Sequence, residues 1–446
     1  MKHLFAVLTV AALALPGPAR TQAAAPADSG PPTRTTFVRL TNNANAILVE
    51  PVTPVPGRSR IALIATHPDN VNNFNNFTAR ELPRYGYRTL MLNYYGREQT
   101  WDEFIAPIAA AISTLRAIPG VEKVVFIGHS SGGTVLSAYQ DIAENGPKTC
   151  QRAELAYKCQ GKDLENLPKA DGIIVPESYA GAAERTLALN PAVDDRHPRK
   201  PNPALDMFSP ANGYDPATHS GRYSSEFRRK YFAAQVARAN RLIDAARARL
   251  ASIEAGQGDY KDDEPFVVPG QDLVVQGARP DLADVRLMSK THAPHLLLKS
   301  DGSKSSQIIP LVMTPRVRPE DQGLLFATTL NTTVRHYLAV EALRLGPDYA
   351  MTEDNVTGVQ WRSTTNSLPG NLEGIHVPTL VMSATCAARL VFSEIAFDHS
   401  AAKDKELVGV EGAGHTFQPC RPEYGDTFRR TFDYIDGWLT RPGRFD

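Results

Sequence analysis

Along this chain, short apolar runs alternate with helix-period stretches in two blocks, and a long middle stretch breaks the alternation. In the first block, residues 61–66 (Ile-Ala-Leu-Ile-Ala-Thr) form a continuous apolar run, which suits a strand covered on both faces of a sheet. Further strands are predicted over 87–93, 121–127 and 172–175. Residues 73–85 predict a helix closed by Gly86. Residues 101–118 predict a stronger one, with Phe104, Ile105, Ile108, Ile112 and Leu115 on one face and Pro119-Gly120 as its stop. Before them, 36–40 and 46–49 are β-rich and flank Thr41-Asn42-Asn43, the pattern of a hairpin. In the last block, strands over 379–383 and 406–410 precede an amphipathic helix over 424–439. Strands alternating with helices imply an α/β fold with a mostly parallel sheet and right-handed crossovers.

Between residues 178 and 370 the pattern differs. Residues 191–216 are proline-rich, 226–253 predict one long helix bearing many arginines, and 322–345 predict another helix. Short β-like pieces fall within 267–317, including 296–298 and 308–312 around the turn Asp301-Gly302. This stretch reads as an inserted cap of mixed α+β structure, and the arginines of its long helix read as a solvated face. The expected division is a signal peptide over 1–25, a flexible leader over 26–35, core over 36–177, cap over 178–370 and core again over 371–446. No internal repeat is visible.

The composition narrows the function classes. Of 446 residues, 48 are Lys or Arg and 48 are Asp or Glu, so net charge gives no attraction to nucleic acid or an anionic membrane. At the N-terminus, Lys2 and His3 precede an apolar run over 4–15, and Ala23-Ala24-Ala25 offers small residues for cleavage. That is the pattern of a secretory signal peptide removed near Ala25, which implies a secreted or periplasmic protein. The run is too short to span a bilayer well, and no other segment qualifies. Four cysteines, an even count in an exported chain, favour disulfides. No Cys/His spacing resembles a zinc site, so no metal is expected, and no cofactor motif is visible.

The chemistry concentrates at Phe126-Ile127-Gly128-His129-Ser130-Ser131-Gly132-Gly133. An apolar strand leads into G-x-S-x-G and a helix-compatible run follows, as in a nucleophile elbow. Ser130 is the candidate nucleophile, and the Ser131 N–H is a candidate oxyanion donor. A serine hydroxyl needs a base, and imidazole titrates near neutral pH. His415, in Gly412-Ala413-Gly414-His415 after the last strand, is the candidate base. His129 adjoins the serine and reads as structural.

On the elbow, on Gly412-Ala413-Gly414-His415 and on the loop Thr66-His67-Pro68-Asp69-Asn70, the chain resembles the α/β-hydrolase superfamily over about 36–177 and 371–440. The resemblance implies a core sheet flanked by helices. The cap would then sit between the strand ending near Glu177 and the strand starting near Thr379. It also implies a catalytic triad of Ser130, His415 and an acid. Many relatives carry an aspartate after the strand equivalent to 379–383, but this chain has Ala384-Thr385-Cys386-Ala387-Ala388. Suspicion therefore moves to Glu177, where some relatives place the acid, with Glu394 and Asp398 as alternatives. The second oxyanion donor is expected from Asp69, or else Asn70, because Pro68 lacks an N–H; His67 reads as bracing that loop. On this fold the expected disulfides are Cys150–Cys159 and Cys386–Cys420, the latter clamping the histidine loop. The implied activity is a serine hydrolase cleaving a small-molecule carboxylic ester, with lactonase, amidase or acyltransferase chemistry as alternatives on the same triad. The alternative of another class is a catalytically silent binding protein. The sequence leaves the oligomeric state open.

Overall fold

The computed structural model describes residues 30–68, 72–95, 100–160, 164–271, 278–312 and 329–446. The expected signal peptide, 1–25, lies outside the described residues. Ten strands make the main sheet: β1 Thr33–Thr41, β2 Ala44–Pro51, β3 Ile61–Thr66, β4 Arg88–Tyr94, β5 Lys123–Ile127, β6 Gly172–Pro176, β7 His295–Leu298, β8 Lys304–Gln307, β9 Thr379–Ala384 and β10 Lys405–Val410. Their order is β1-β2-β4-β3-β5-β6-β9-β10-β7-β8. Every pairing from β4 across to β7 is parallel, and antiparallel pairs close both ends.

The continuous apolar runs follow from burial on two faces. Side chains alternate across a strand, so Ala62 and Ile64 of β3 join one core while Ile61, Leu63 and Ala65 join another. β5 divides the same way, Val124 and Phe126 against Val125 and Ile127. Helices α1 (Ile105–Arg116) and α2 (Ser131–Asn145) fill the first core, with Ile108, Ile112, Leu115 and Leu136 buried there. The C-terminal helix, Thr427–Leu439, fills the second through Phe432, Ile435 and Trp438.

Several expectations are corrected. The strand β1 begins at Thr33, inside the expected leader. Residues 295–307, expected in the cap, extend the main sheet instead: β7 pairs in parallel with β10, Leu296 opposite Val408. The cause is the pattern Leu296-Leu297-Leu298, which packs Leu297 against Ile309 and Leu390 on one face and Leu298 into the second core on the other. The helix expected over 322–345 is replaced, among the described residues, by a strand Thr329–Thr333 of mostly β-branched residues, followed by helical turns over 334–341. That strand pairs with Pro265–Pro269.

The long helix forms as expected, as α3 (Ser225–Glu254), capped by the Ser224 hydroxyl accepting from the Phe227 N–H. Its buried stripe, Phe227, Tyr231, Gln235, Arg238, Leu242 and Ala246, keeps helical spacing. Arg238 departs from the expected solvated face: it is buried and bonds Asp195, Asn190 O and Pro269 O. A helix that the sequence did not announce, α4 (Leu390–His399), packs beside β9 and β10, and the C-terminal helix is accordingly α5. No helix of the described residues is long and apolar enough to cross a membrane.

The placing of α5 is testable. Ile435 is fully buried. Ile435→Ala should lower stability by about 2–5 kcal/mol, the usual cost of emptying such a site. A urea midpoint equal to that of the wild type would remove α5 from the sheet face.

Candidate active site

β5 ends at Ile127 and α2 begins at Ser131, leaving three residues for the reversal. Ser130 takes it at φ 53° and ψ −130°, a strained conformation for a non-glycine residue, costing on the order of 1–3 kcal/mol. Small residues permit it. A Cβ on Gly128 would stand 2.5 Å from Gly133 Cα, and one on Gly132 would stand 2.1 Å from the Thr66 carbonyl oxygen. The Gly128 N–H anchors the turn to Ile174 O at 2.8 Å. Ser131 is the first helical residue, so its N–H has no intrahelical acceptor and lies at the positive end of α2.

His415 lies in the loop after β10. Cys386 N donates to Ala413 O and Cys420 N to Gly412 O, each at 2.8 Å, and the Cys386–Cys420 disulfide spans the same loop with a Cα–Cα separation of 6.3 Å. The other pair is Cys150–Cys159. His129, next to Ser130, donates from Nε2 to His415 O at 2.8 Å, and the two rings lie 4.5 Å apart. That bond fixes the His129 tautomer. Burial above all lowers its pKa to about 3, so the ring is neutral. His67 joins the group: its ring is 6.0 Å from that of His129, and its Nδ1 is 3.4 Å from Ser131 Oγ.

The surroundings of the imidazole differ from expectation. Arg389 Nη1 lies 2.7 Å from His415 Nδ1 and 3.4 Å from Nε2. Burial, with the Arg389 charge next, lowers the His415 pKa to about 2. Glu177 follows β6 at φ 47° and is fully buried. Its Oε2 accepts from Ala384 N at 2.7 Å and Ser383 Oγ at 3.3 Å, whereas its Oε1 has no partner among the described residues. No hydrogen bond joins Glu177 to His415. Burial raises the Glu177 carboxyl to about 7, and the Arg389 charge opposes that rise.

A serine on a strained strand-to-helix turn, over a mostly parallel sheet, with the residue before it hydrogen-bonded to the loop after the last strand in the chain, decides the architecture. The chain has the α/β-hydrolase fold. No protein-family model matches it, and no curated protein does. Among solved structures, a hypothetical protein from Pseudomonas aeruginosa is similar at a TM-score of 0.44 and 14% identity, over 91% of this chain and 93% of that one. The bacterial brefeldin A esterase is similar at 0.43 and 12%, over 96% and 80%. A monoglyceride lipase variant from Saccharomyces cerevisiae is similar at 0.40 and 10%, over 91% and 94%. Values this low carry nothing about substrate, and the fold rests on the strand order and the elbow.

Among the described residues, two of the cavities are lined both by the α/β-hydrolase core and by the stretch 178–370. One, of about 240 Å³, is lined by Trp101, Phe104, Ser131 and Thr134 from the core and by Arg185, His336, Val340 and Asn366 from the insert. The other, of about 390 Å³, is lined by Glu184, Arg279, Leu282, Arg389, His415, Cys386 and Cys420. The two alternative acids stand elsewhere. Glu394 accepts from His292 N, Ala293 N and His295 Nε2, and Asp398 faces His292 at 3.4 Å; among the described residues no hydrogen bond joins either to His415. Asp69 and Asn70 lie outside the described residues. Among the described residues no group of three or more His, Cys, Asp or Glu side chains could hold a metal.

Sequence reasoning missed Arg389, Glu184 and Arg279. Arg389 Nε contacts both Glu184 oxygens at 3.1 Å, and its guanidinium lies 5.1 Å from the Tyr179 ring. A signal existed, because Arg389 is the next residue after the loop in which the carboxylate is missing.

The raised Glu177 carboxyl has a thermodynamic consequence. The folded state keeps its proton to about pH 7, while the unfolded state releases it near 4.5. Between those values the folded state binds more protons, so stability falls as pH rises. The depressed His129 and His415 act oppositely: the unfolded chain binds their protons below about 6.5 and the folded chain does not, so they favour unfolding as pH falls. The stability difference between wild type and Glu177→Gln should isolate the carboxyl, falling steadily from pH 4.5 to 7 in urea titrations. A difference independent of pH would mean an ordinary carboxylate.

Proposed function

We propose that this chain is an exported serine hydrolase that cleaves carboxylic esters through an acyl-enzyme on Ser130. The observation that carries the reading is Ser130 at positive φ on the elbow, with the loop of His415 hydrogen-bonded by the residue directly before it. Ser130 attacks the ester carbonyl, and His415 takes the hydroxyl proton and returns it to the leaving alcohol. The Ser131 N–H stabilises the tetrahedral oxyanion, with a second donor from Asp69. Glu177 orients the imidazole through its unpartnered oxygen. Water then releases the acid. The insert acts as a cap, in keeping with a cavity lined by residues of both regions. Export is supported by the N-terminal apolar segment and the two disulfides.

A second reading, a silent binding protein, is favoured by one contact: the imidazole takes its hydrogen bond from a cation rather than giving one to a carboxylate. A fluorophosphonate probe separates the two. Wild type should label and Ser130→Ala should not; folded wild type that stays unlabelled would sink the hydrolase. On a p-nitrophenyl ester that the wild type turns over, Glu177→Gln should reduce kcat on the order of 10⁴-fold, as loss of a triad acid does. A rate near that of the wild type would remove Glu177 from the triad.

A further inference from the structure

Resting on the serine-hydrolase reading, we propose that Arg389 recognises a carboxylate on the substrate, and that capturing this carboxylate releases His415 to act as base. Arginine carries only N–H donors. The shorter contact, at 2.7 Å, makes His415 Nδ1 the acceptor, and the neutral ring then holds its proton on Nε2, which Nη1 approaches only to 3.4 Å. A base working from Nε2 needs the opposite tautomer, with the proton on Nδ1 facing an acceptor. An acceptor is present and idle: Glu177 Oε1, fully buried, has no partner among the described residues. Arg389 hydrogen-bonds His415, and its charge also favours the ionised form of Glu177.

Arg389 is built to exchange one partner and keep the others. Its Nε stays on both oxygens of Glu184, and its guanidinium stays against Tyr179. The Nη1 that holds the imidazole belongs to a residue lining the cavity of about 390 Å³, which is within the range of small-molecule sites. Among the described residues, the charged side chains lining that cavity are Arg279, Arg389 and Glu184. Arg279, fully buried between Asp281 and Glu184, adds a second cation to the wall. A carboxylate entering there makes a charge-assisted bond that a neutral imidazole cannot match. Once Nη1 turns to it, His415 gives its Nε2 proton to water and takes one on Nδ1, with no change in net charge. The favoured substrate is an ester that carries a free carboxylate in addition to the scissile bond.

The test has a spectroscopic arm and a kinetic one, both on the full chain. In protein with ¹⁵N-labelled histidine, the His415 ring (assigned by its loss in His415→Gln) should carry no proton on Nδ1. Added succinate should put one there, and Arg389→Met should show it without succinate. A proton on Nδ1 in anion-free wild type, or no response to succinate, overturns the proposal, and neither observation needs a variant to fold. In kinetics, wild type should prefer p-nitrophenyl hemisuccinate to p-nitrophenyl butyrate in kcat/KM. Arg389→Met should erase about 10- to 100-fold of that preference, the worth of one lost charged hydrogen bond, while Arg389→Lys keeps part of it. An unchanged ratio in Arg389→Met overturns the recognition role. If succinate moves the tautomer but the fluorophosphonate leaves Ser130 untouched, the anion site stands and the hydrolase reading falls.

Discussion

The crowding of three backbones at Ser130 governs the rest of the site. The start of α2 comes so close to the end of β3 that a single carbon on Gly132 would overlap the Thr66 carbonyl. The chain can make that approach only by bending within three residues, and the bend puts Ser130 at positive φ. Strain of this kind lasts only where the surroundings over-determine it. Here the Gly128 bond to β6 and the first turn of α2 hold both ends of the bend. The residue before the serine is fixed as a consequence. His129 has one donor and uses it on the histidine loop, so the geometry of the elbow also sets the position of His415.

Around this bend the protein buries charge, which is costly unless each charge is paired and hydrogen-bonded. Glu184 shows how that is met. It accepts from Ala180 N, pairs with Arg389 and lies 3.6 Å from Arg279, which in turn holds Asp281. Arg185 pairs with Glu341 in the same region and lies 5.4 Å from the Tyr179 ring. Glu177 differs: one of its oxygens has no partner among the described residues, and burial raises its pKa to about 7. A titratable group perturbed by burial is a candidate for a functional role, and burial is what perturbs this carboxyl.

What the sequence disclosed divides by range. The buried strands, the helix 105–116 and the elbow depend on neighbours within a few residues, and their patterns were legible. Residues 296–298 were legible as β-like but not as part of the main sheet, because their pairing partner, β10, lies over 100 residues downstream and no local pattern names it. Helix 390–399 was hidden for another reason. It is apolar on most sides, Leu390, Val391, Phe392, Ile395 and Ala396 all being buried, so it shows no amphipathic period. The site shows the same split. Ser130 and His415 sit in short motifs that describe their own turns. Glu177 and Glu394 are both buried glutamates, and only tertiary packing sends one to Ser383 and Ala384 and the other to the segment of His292 and His295.

The absent carboxylate after β9 also has a structural reading. The end of that strand presents donors, the Ala384 N–H and the Ser383 hydroxyl, and both go to Glu177. A carboxylate in the loop after β9 would face Glu177 across one strand spacing, and two like charges in a dry site repel strongly enough to keep one of them protonated. One acid and two donors avoid that conflict. With the loop thus free of negative charge, the residue that follows it can be a cation, and Arg389 lies beside the imidazole. The buried carboxyl after β6 and the arginine beside His415 therefore belong to one arrangement of charge around the end of β9.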